Sequence, residues 1–482
     1  MRKNRVVCLV AIFIATLFSP PIIIRNPIVS KFSLVLPRDS FLVNYSLHGG
    51  WRGGFTFEER GFFYLTEWKG SWWLVDPSGN LFISKGVNHI DPYGDYSPSL
   101  GYSPYERNVN KKYGRFEEWL KSTVTRLKFW GFNTIGAWSY RKLSLHMPYT
   151  VILYLMTSYR YNSTVKIYDI FDSDFEHHVK GIVLRECIPR VNDSLLLGYF
   201  LDNELKWGPK LRSNRHLLDD FIKLSSRSPG KKIAIKALLK AFDNNVEKLS
   251  IRLRVKLKSL EGLLRYSGSL PIGGIFDKAR SIFLRYFAER YFNVSTSIIR
   301  AYDPNHLILG VRFVWIPPVE VLEVARKYLD VISINIYTTH PPLEALEYVY
   351  NVTRRPIMIT EFSFKAVDSG LPNTKGAGEP TETQLSRAYL TAKYALKIIE
   401  LPYVIGYHWF QYTDQPKEGR FDGENSNFGL VKIDDEPWRT LVSVFTLINS
   451  KAELVHAKLV KADTVLKKVN KLLAEIKKNT ET

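Results

Sequence analysis

Two glutamates close apolar runs where a charge is costly. Glu204 ends Gly198-Tyr199-Phe200-Leu201-Asp202-Asn203-Glu204, and Glu361 follows Ile357-Met358-Ile359-Thr360. Both runs read as short strands covered on both faces, and a carboxylate at such a strand end needs partners or a task. One task suits a pair of carboxyls. In glycoside cleavage one carboxyl protonates the leaving oxygen, while the other stabilises or captures the oxocarbenium-like centre; retention of configuration sets them about 5 to 5.5 Å apart. The two residues are 157 positions apart in the chain, so only closure of a tertiary structure brings them that close. A single strand-end Glu would read as the ion-pair partner of a basic neighbour; two of them in this setting favour chemistry.

The elements that must position them recur along the chain. Eight apolar, β-rich runs stand out: Phe82 to Ile90, Phe132 to Trp138, Tyr149 to Leu155, Leu195 to Glu204, His306 to Phe313, Val331 to Thr338, Pro356 to Phe362 and Val404 to Gln411. Helix-compatible stretches separate them, which is the pattern of an α/β chain closed into a (β/α)8 barrel, or TIM barrel, over about 81–450. In the sixth run Ile332, Ile334 and Ile336 share one face while Ser333, Asn335 and Tyr337 share the other, as expected of a strand between helices and lumen. Both glutamates would then sit at the C-terminal mouth, where barrel active sites are built.

Before the barrel, aromatic and β-branched runs ending in Asp76-Pro77-Ser78-Gly79 predict a β-hairpin layer at about 40–80. After the fourth run about 100 residues intervene before His306. The excess predicts a helical insertion at about 209–275, basic from Lys231 to Arg265, followed by the barrel's own helix from about Asp277 to Tyr302. From Lys451 onward, Val455, Leu459, Ala462, Leu466, Val469, Leu473 and Ile476 alternate spacings of four and three. That seam predicts a basic C-terminal amphipathic helix over 451–482, packed on the barrel or joining a homo-oligomer.

The first residues, Met-Arg-Lys-Asn-Arg and an apolar run from Val6 to Phe18, have the order of an export signal, so residues 1–30 are read as a signal peptide or N-terminal membrane anchor. An extracellular location follows, secreted or held at the cell surface. Asn-x-Ser/Thr sequons at Asn44, Asn162, Asn192, Asn293 and Asn351 agree with it, and the two cysteines, Cys8 and Cys187, would leave a processed chain without an internal disulfide. A net charge of +20 without a nucleic-acid motif points away from nucleic acid and toward acidic surfaces or plain solubility. Few Cys and Met beside abundant Lys, Arg and Glu suit a heat-adapted, thermophile protein. No His-Glu-x-x-His or similar metal-ligand pattern and no Gly-rich phosphate loop occurs, so no metal or other cofactor is expected.

Several longer segments carry a resemblance. Trp72-Trp73-Leu74-Val75-Asp76-Pro77, Gly86-Val87-Asn88-His89, Gly131-Phe132-Asn133-Thr134, the Asn203-Glu204 strand end, Asp303-Pro304-Asn305-His306 and His408-Trp409-Phe410-Gln411-Tyr412-Thr413-Asp414-Gln415 resemble the agarase-like group around glycoside hydrolase family 50, within clan A of the retaining glycoside hydrolases. The similarity spans about Gly50 to Asn449. It implies Glu204 as general acid/base, Glu361 as nucleophile and Asn203 as partner of the sugar 2-hydroxyl. Glu361 must stay ionised, and the Tyr337 hydroxyl on the lumen face is placed to help. Trp409 is expected as a sugar platform, with a barrel-core tryptophan as the alternative, and Asn88, His89 and Trp138 as ligands of sugar hydroxyls, with a structural histidine as the other reading of His89. The polar loop with Gln411, Asp414, Gln415, Arg420, Glu424, Asn425 and Asn427 supplies further sugar-binding groups. Asp202 is on the same parity as Glu204, so either a bulge turns it away from the lumen or it joins a buried polar network, and its role is left open. The implied activity is a β-glycosidase on a poly- or oligosaccharide, with a galactose-containing, agarase-like substrate suggested by the family; a carbohydrate-binding or surface-layer protein that has lost catalysis is the alternative.

Overall fold

Each apolar run contains a strand because each is short, β-branched or aromatic, and bounded by turn residues. In the computed structural model, which describes residues 45–53, 55–164, 167–209, 215–257 and 259–481, these strands form one parallel sheet. They are Ser84–Val87, Thr134–Ile135, Tyr149–Ile152, Leu196–Phe200, Leu307–Gly310 with Phe313–Val314, Ile332–Asn335, Ile357–Phe362 and Val404–Trp409. Neighbours in this order pair in parallel, and the last strand pairs with the first. The fifth is interrupted at Val311-Arg312: its first part pairs with the fourth strand and its second with the sixth, which closes the barrel. The expected export segment, Cys8 and Asn44 lie outside the described residues. Among those residues no helix is long and apolar enough to cross a membrane.

Helices follow the strands on the outside, from Phe116–Phe129 after the first to Arg439–Asn449 after the eighth. Between the second and third strands a short 3-10 turn, Arg141–Leu145, stands in place of a helix. The hairpin layer forms a three-stranded antiparallel sheet of Tyr64–Trp68, Ser71–Val75 and Leu81–Phe82. Its Phe63, Leu74 and Phe82 form one buried cluster with Leu197, Phe200, Leu307, Leu309, Val331, Met358 and Ile405 from five barrel strands. The lumen is therefore filled by apolar side chains from below, as in a packed barrel core, and the open end is the C-terminal mouth.

The insertion after the fourth strand is helical, with Leu217–Phe221, Pro229–Ala241, Val246–Leu253 and Leu260–Arg265 preceding the long barrel helix Ile275–Tyr302. The C-terminal seam differs from the expectation of one helix. It is split into Ala452–His456 and Ala462–Glu481, with Lys458 in the left-handed region at φ 58° and Leu459 57% exposed in the break. Ala462, Val465, Val469, Leu472 and Leu473 are buried, against the helices Gln384–Ile399 and Arg439–Asn449. The stripe is three residues wide in seven because it covers the barrel's own helices.

Candidate active site

The strand ends converge at the mouth, and five of them do so through an unusual backbone. His89, Trp138, Tyr154, Glu204 and Arg312, which follow strands one to five, all have φ between 48° and 58°. None is glycine, so each turn is held against a conformational cost of order 1–3 kcal/mol. Such residues mark where the fold sacrifices stability to aim a side chain.

Glu361 is 5% exposed. Its Oε1 accepts hydrogen bonds from the Arg312 guanidinium and from Asn335 Nδ2 at 2.9 Å, and its Oε2 accepts from the Tyr337 hydroxyl at 2.5 Å. Burial raises its pKa above the ordinary glutamate value; Arg312 pulls it down, Glu204 pushes it up, and the Tyr337 and Arg312 hydrogen bonds favour the anion. Tyr337 itself is pushed well above its ordinary value by burial and by Glu361, so it stays a donor.

Asn335 Nδ2 also donates to Glu204 Oε1 at 3.0 Å. The two carboxyl oxygens therefore lie no more than about 5.9 Å apart, the sum of the two bond lengths. Because the two N–H bonds of an amide diverge by about 120°, the separation is roughly 5 Å.

Arg312 ties the site together. It is fully buried, donates through Nε to Asn203 Oδ1 at 2.8 Å and through Nη1 to the Thr360 carbonyl at 3.3 Å, and its guanidinium lies 4.7 Å from the centre of the Trp138 ring. A planar, permanently charged fork can hold an Asn, a carboxylate and an aromatic face at once, which a lysine cannot. Asn203 thus has its carbonyl oxygen occupied, while its amide nitrogen makes no hydrogen bond among the described residues.

A cleft of about 600 Å³ opens over these groups, lined by His89, Trp138, Asn203, Glu204, Tyr337 and Glu361 and rimmed by Phe410, Phe421, Asp422 and Glu424. Trp138 donates its Nε1–H to the Tyr154 hydroxyl and meets Phe410 edge to face at 6.1 Å. His89 Nδ1 is buried without a hydrogen bond among the described residues, 3.9 Å from Asp95 Oδ1. Glu424 Oε2 accepts from Gln415 at 2.7 Å and pairs with Arg420 at 2.8 Å. Volume and lining suit a polar ligand with apolar faces.

Three expected sugar contacts are placed elsewhere. Trp409 is not a platform: it is fully buried on the outer face of the eighth strand, between Phe362 and Phe445 at 5.3 and 5.2 Å, with Nε1 donating to the Phe428 carbonyl at 2.8 Å. A register shift in that strand turns His408 to the lumen and Trp409 to the helices, and Phe410 lines the cleft instead. Asn88 is fully buried, and its amide is spent on the Ala137 N–H and the Thr360 carbonyl, both at 2.9 Å. Gln411 is likewise buried, its Nε2 bonded to Asp95 and to the Thr413 carbonyl at 2.8 and 2.9 Å. Both support the mouth from beneath. In the following loop Asp414 is also buried, accepting from Asn427 and Trp438 at 2.8 Å.

Asp202 resolves as a buried anchor. Its carboxylate accepts from the Met156 and Thr157 N–H groups, the Thr157 hydroxyl and Tyr291, at 2.6 to 3.1 Å, which pins the loop after the third strand against the helix Ile275–Tyr302. Sequence reasoning missed Arg312 and Asn335 as site residues. Arg312 ends the fifth run as the glutamates end theirs, so the same strand-end argument, extended to cations, would have found it.

No protein-family model matches the chain. Beta-agarase B of Vibrio sp. (strain JT0107) is 28% identical over 484 residues, an alignment covering 86% of this chain and 50% of that protein. Beta-agarase A of the same strain is 28% identical over 438 residues, covering 77% and 43%. The chain thus spans about half the length of the curated relatives it matches. Among solved structures, an exo-beta-agarase superimposes with a TM-score of 0.78 at 25% identity, over 86% of this chain and 68% of that one. The agarase AgWH50C gives 0.77 at 25%, with the same coverage. In sequence and in fold alike, the chain is agarase-like and resembles glycoside hydrolase family 50.

Proposed function

We propose that the chain is a retaining β-glycosidase that hydrolyses agarose or a related galactose-containing poly- or oligosaccharide. The observation that carries this reading is the pair of carboxyls held by one amide, Glu204 and Glu361 on Asn335, at the roughly 5 Å spacing that double displacement uses. In the first step Glu361 attacks the anomeric carbon while Glu204 gives its proton to the glycosidic oxygen; the C–O bond to the leaving sugar breaks and a glycosyl ester forms on Glu361. In the second, Glu204 takes a proton from water, the water oxygen bonds to the anomeric carbon, and the Glu361 carboxylate leaves.

The donors around Glu361 fit the nucleophile's part, since they stabilise its charge before attack and again as it departs. Asn203 makes no hydrogen bond through its amide N–H groups among the described residues, which suits them to the sugar 2-hydroxyl, and the rings of Trp138 and Phe410 offer apolar faces to a pyranose. His89 and Glu424, on the cleft wall, are assigned to sugar hydroxyls. The agarase relatives favour an agar-type substrate, and the charged-then-apolar N-terminus favours export to where such a polymer is found.

The test is hydrolysis of aryl β-glycosides and agar oligosaccharides by the purified protein, beside Glu204→Ala and Glu361→Ala, with the product anomer followed by NMR. Retained configuration and a loss of at least about a thousandfold in both variants are expected. Inverted product, or turnover that survives Glu361→Ala, rules the assignment out, and equal inactivity of all three proteins would leave a carbohydrate-binding role.

A further inference from the structure

Glu204 lines two clefts. One is the cleft shared with Glu361; the other, about 610 Å³, lies between the loops after the third and fourth strands, has Glu204 but not Glu361 among its described lining residues, and is lined by Tyr161, Tyr168, Lys206, Arg215, Leu217 and Phe221 among others. In double displacement the ring under attack must sit over the nucleophile, and the acid must reach the oxygen on its far side. A cleft that shares the acid but not the nucleophile is therefore fitted to the leaving group. We propose that this second cleft binds the leaving part of the substrate, and that this part is a sugar carrying an anionic substituent such as sulfate or carboxylate. The inference rests on the glycosidase reading above.

The two clefts differ in charge. Among the described residues of the first, Asp95, Asp422 and Glu424 accompany the two glutamates, against one basic lining residue, Arg420; it pairs with Asp422 and Glu424 at 2.9 and 2.8 Å. A negative sugar would be repelled there. Among the described residues of the second, Lys206 and Arg215 accompany one carboxylate besides Glu204, that of Asp220, which lies 3.2 Å from Arg215 Nε. Lys206 stands exposed at the rim, two residues past the proposed acid. The floor is apolar through Leu217, Phe221 and Phe287. The rings of Tyr161 and Tyr168, also in its lining, lie 5.0 Å apart on a short antiparallel ladder, with Tyr161 50% exposed. Aromatic faces beside a cation fit a pyranose with an anionic group better than a plain aglycone.

The test compares kcat/KM on three substrates sharing one non-reducing part: an aryl β-glycoside, a neutral oligosaccharide, and that oligosaccharide sulfated on the leaving side. Lys206→Gln is expected to lower the sulfated-to-neutral ratio about tenfold, and Leu217→Trp, which fills the cleft, to lower both oligosaccharides relative to the aryl glycoside at least about tenfold, through KM. An unchanged sulfated-to-neutral ratio in Lys206→Gln overturns the anionic assignment, and equal effects of Leu217→Trp on all three substrates overturn the cleft. Lys206 is exposed, so its variant tests the charge even where the tryptophan variant fails to fold. Should the unmodified protein turn over none of the three, the glycosidase reading fails separately. Calorimetric titration with the sulfated disaccharide alone then decides: binding weakened in Lys206→Gln sustains the site, and equal binding or none removes it.

Discussion

Arg312→Met removes the one buried cation that touches the proposed nucleophile among the described residues while keeping an unbranched side chain of similar length. The guanidinium donates to Glu361 Oε1, and both residues are almost wholly buried. Opposite charges about 4 Å apart at an effective dielectric constant near 20 interact by about 4 kcal/mol, equivalent to about 3 pKa units on the carboxyl. Asn335 and Tyr337 remain as donors and water can enter the vacated space, so the expected rise is smaller, at least about one unit. Glu361 already sits above the ordinary glutamate value because it is buried; the variant moves it further in the same direction. Since the ionised form is the nucleophile, the acidic limb of kcat/KM should shift to higher pH by at least about one unit, with at least about tenfold less activity on that limb. Arg312→Lys should shift it less. Both variants are assayed for kcat/KM across pH on an aryl β-glycoside, with thermal melting as the check on folding. A folded Arg312→Met whose acidic limb stays at the original pH would refute the argument that this ion pair holds Glu361 ionised.

His408 is fully buried with Nε2 2.8 Å from Ser84 Oγ, and burial with the nearby Arg312 holds its pKa down to about 3. The unfolded chain, with a pKa near 6.5, then binds the extra proton, so stability from this residue is full above about pH 6.5 and is lost as pH falls toward 3, by up to about 1.4 kcal/mol per unit. Urea unfolding at several pH values should show a shallower acid loss in His408→Gln, and equally steep losses would remove this residue as a cause. Trp409→Phe should cost about 1–3 kcal/mol of stability through its lost packing and Nε1 hydrogen bond and leave KM alone, whereas Trp138→Ala should raise KM about tenfold; a KM effect at Trp409 would return it to the cleft. Asp202→Asn, which leaves fewer acceptors for four buried or half-buried donors, should lower stability by about 1–3 kcal/mol, and a melt identical to the parent would contradict the anchoring role.

The period of apolar runs was enough to specify a barrel. Strands buried on both faces must be continuously apolar and helices must cover them, so count and order are written in composition and spacing alone. The strand-end position of Glu204 and Glu361 followed from the same count. What the sequence left open were facts about direction. Whether Trp409 faces sugar or core depends on a register shift within one strand, and a slip of one residue exchanges faces. Asn88 and Gln411 are polar in the right neighbourhood, yet both are buried once the mouth is assembled, the Asn88 amide spent on backbone and the Gln411 Nε2 on Asp95 and the Thr413 carbonyl. The C-terminal seam carried its stripe openly, while the break at Lys458 and the identity of the covering helices did not show.

Arg312 and Asn335 mark the division most sharply. The chain supplied an ordinary strand-end arginine and an ordinary inward asparagine, 49 and 26 residues before Glu361. Only barrel closure puts an amide between two carboxyls from the fourth and seventh strands and a guanidinium beside one of them, because the contacts that define the site join residues the linear order keeps apart. The sequence thus determined which groups would reach the mouth; the tertiary structure decided which of them touch, since contact depends on register, bulges and left-handed turns that side-chain type does not encode.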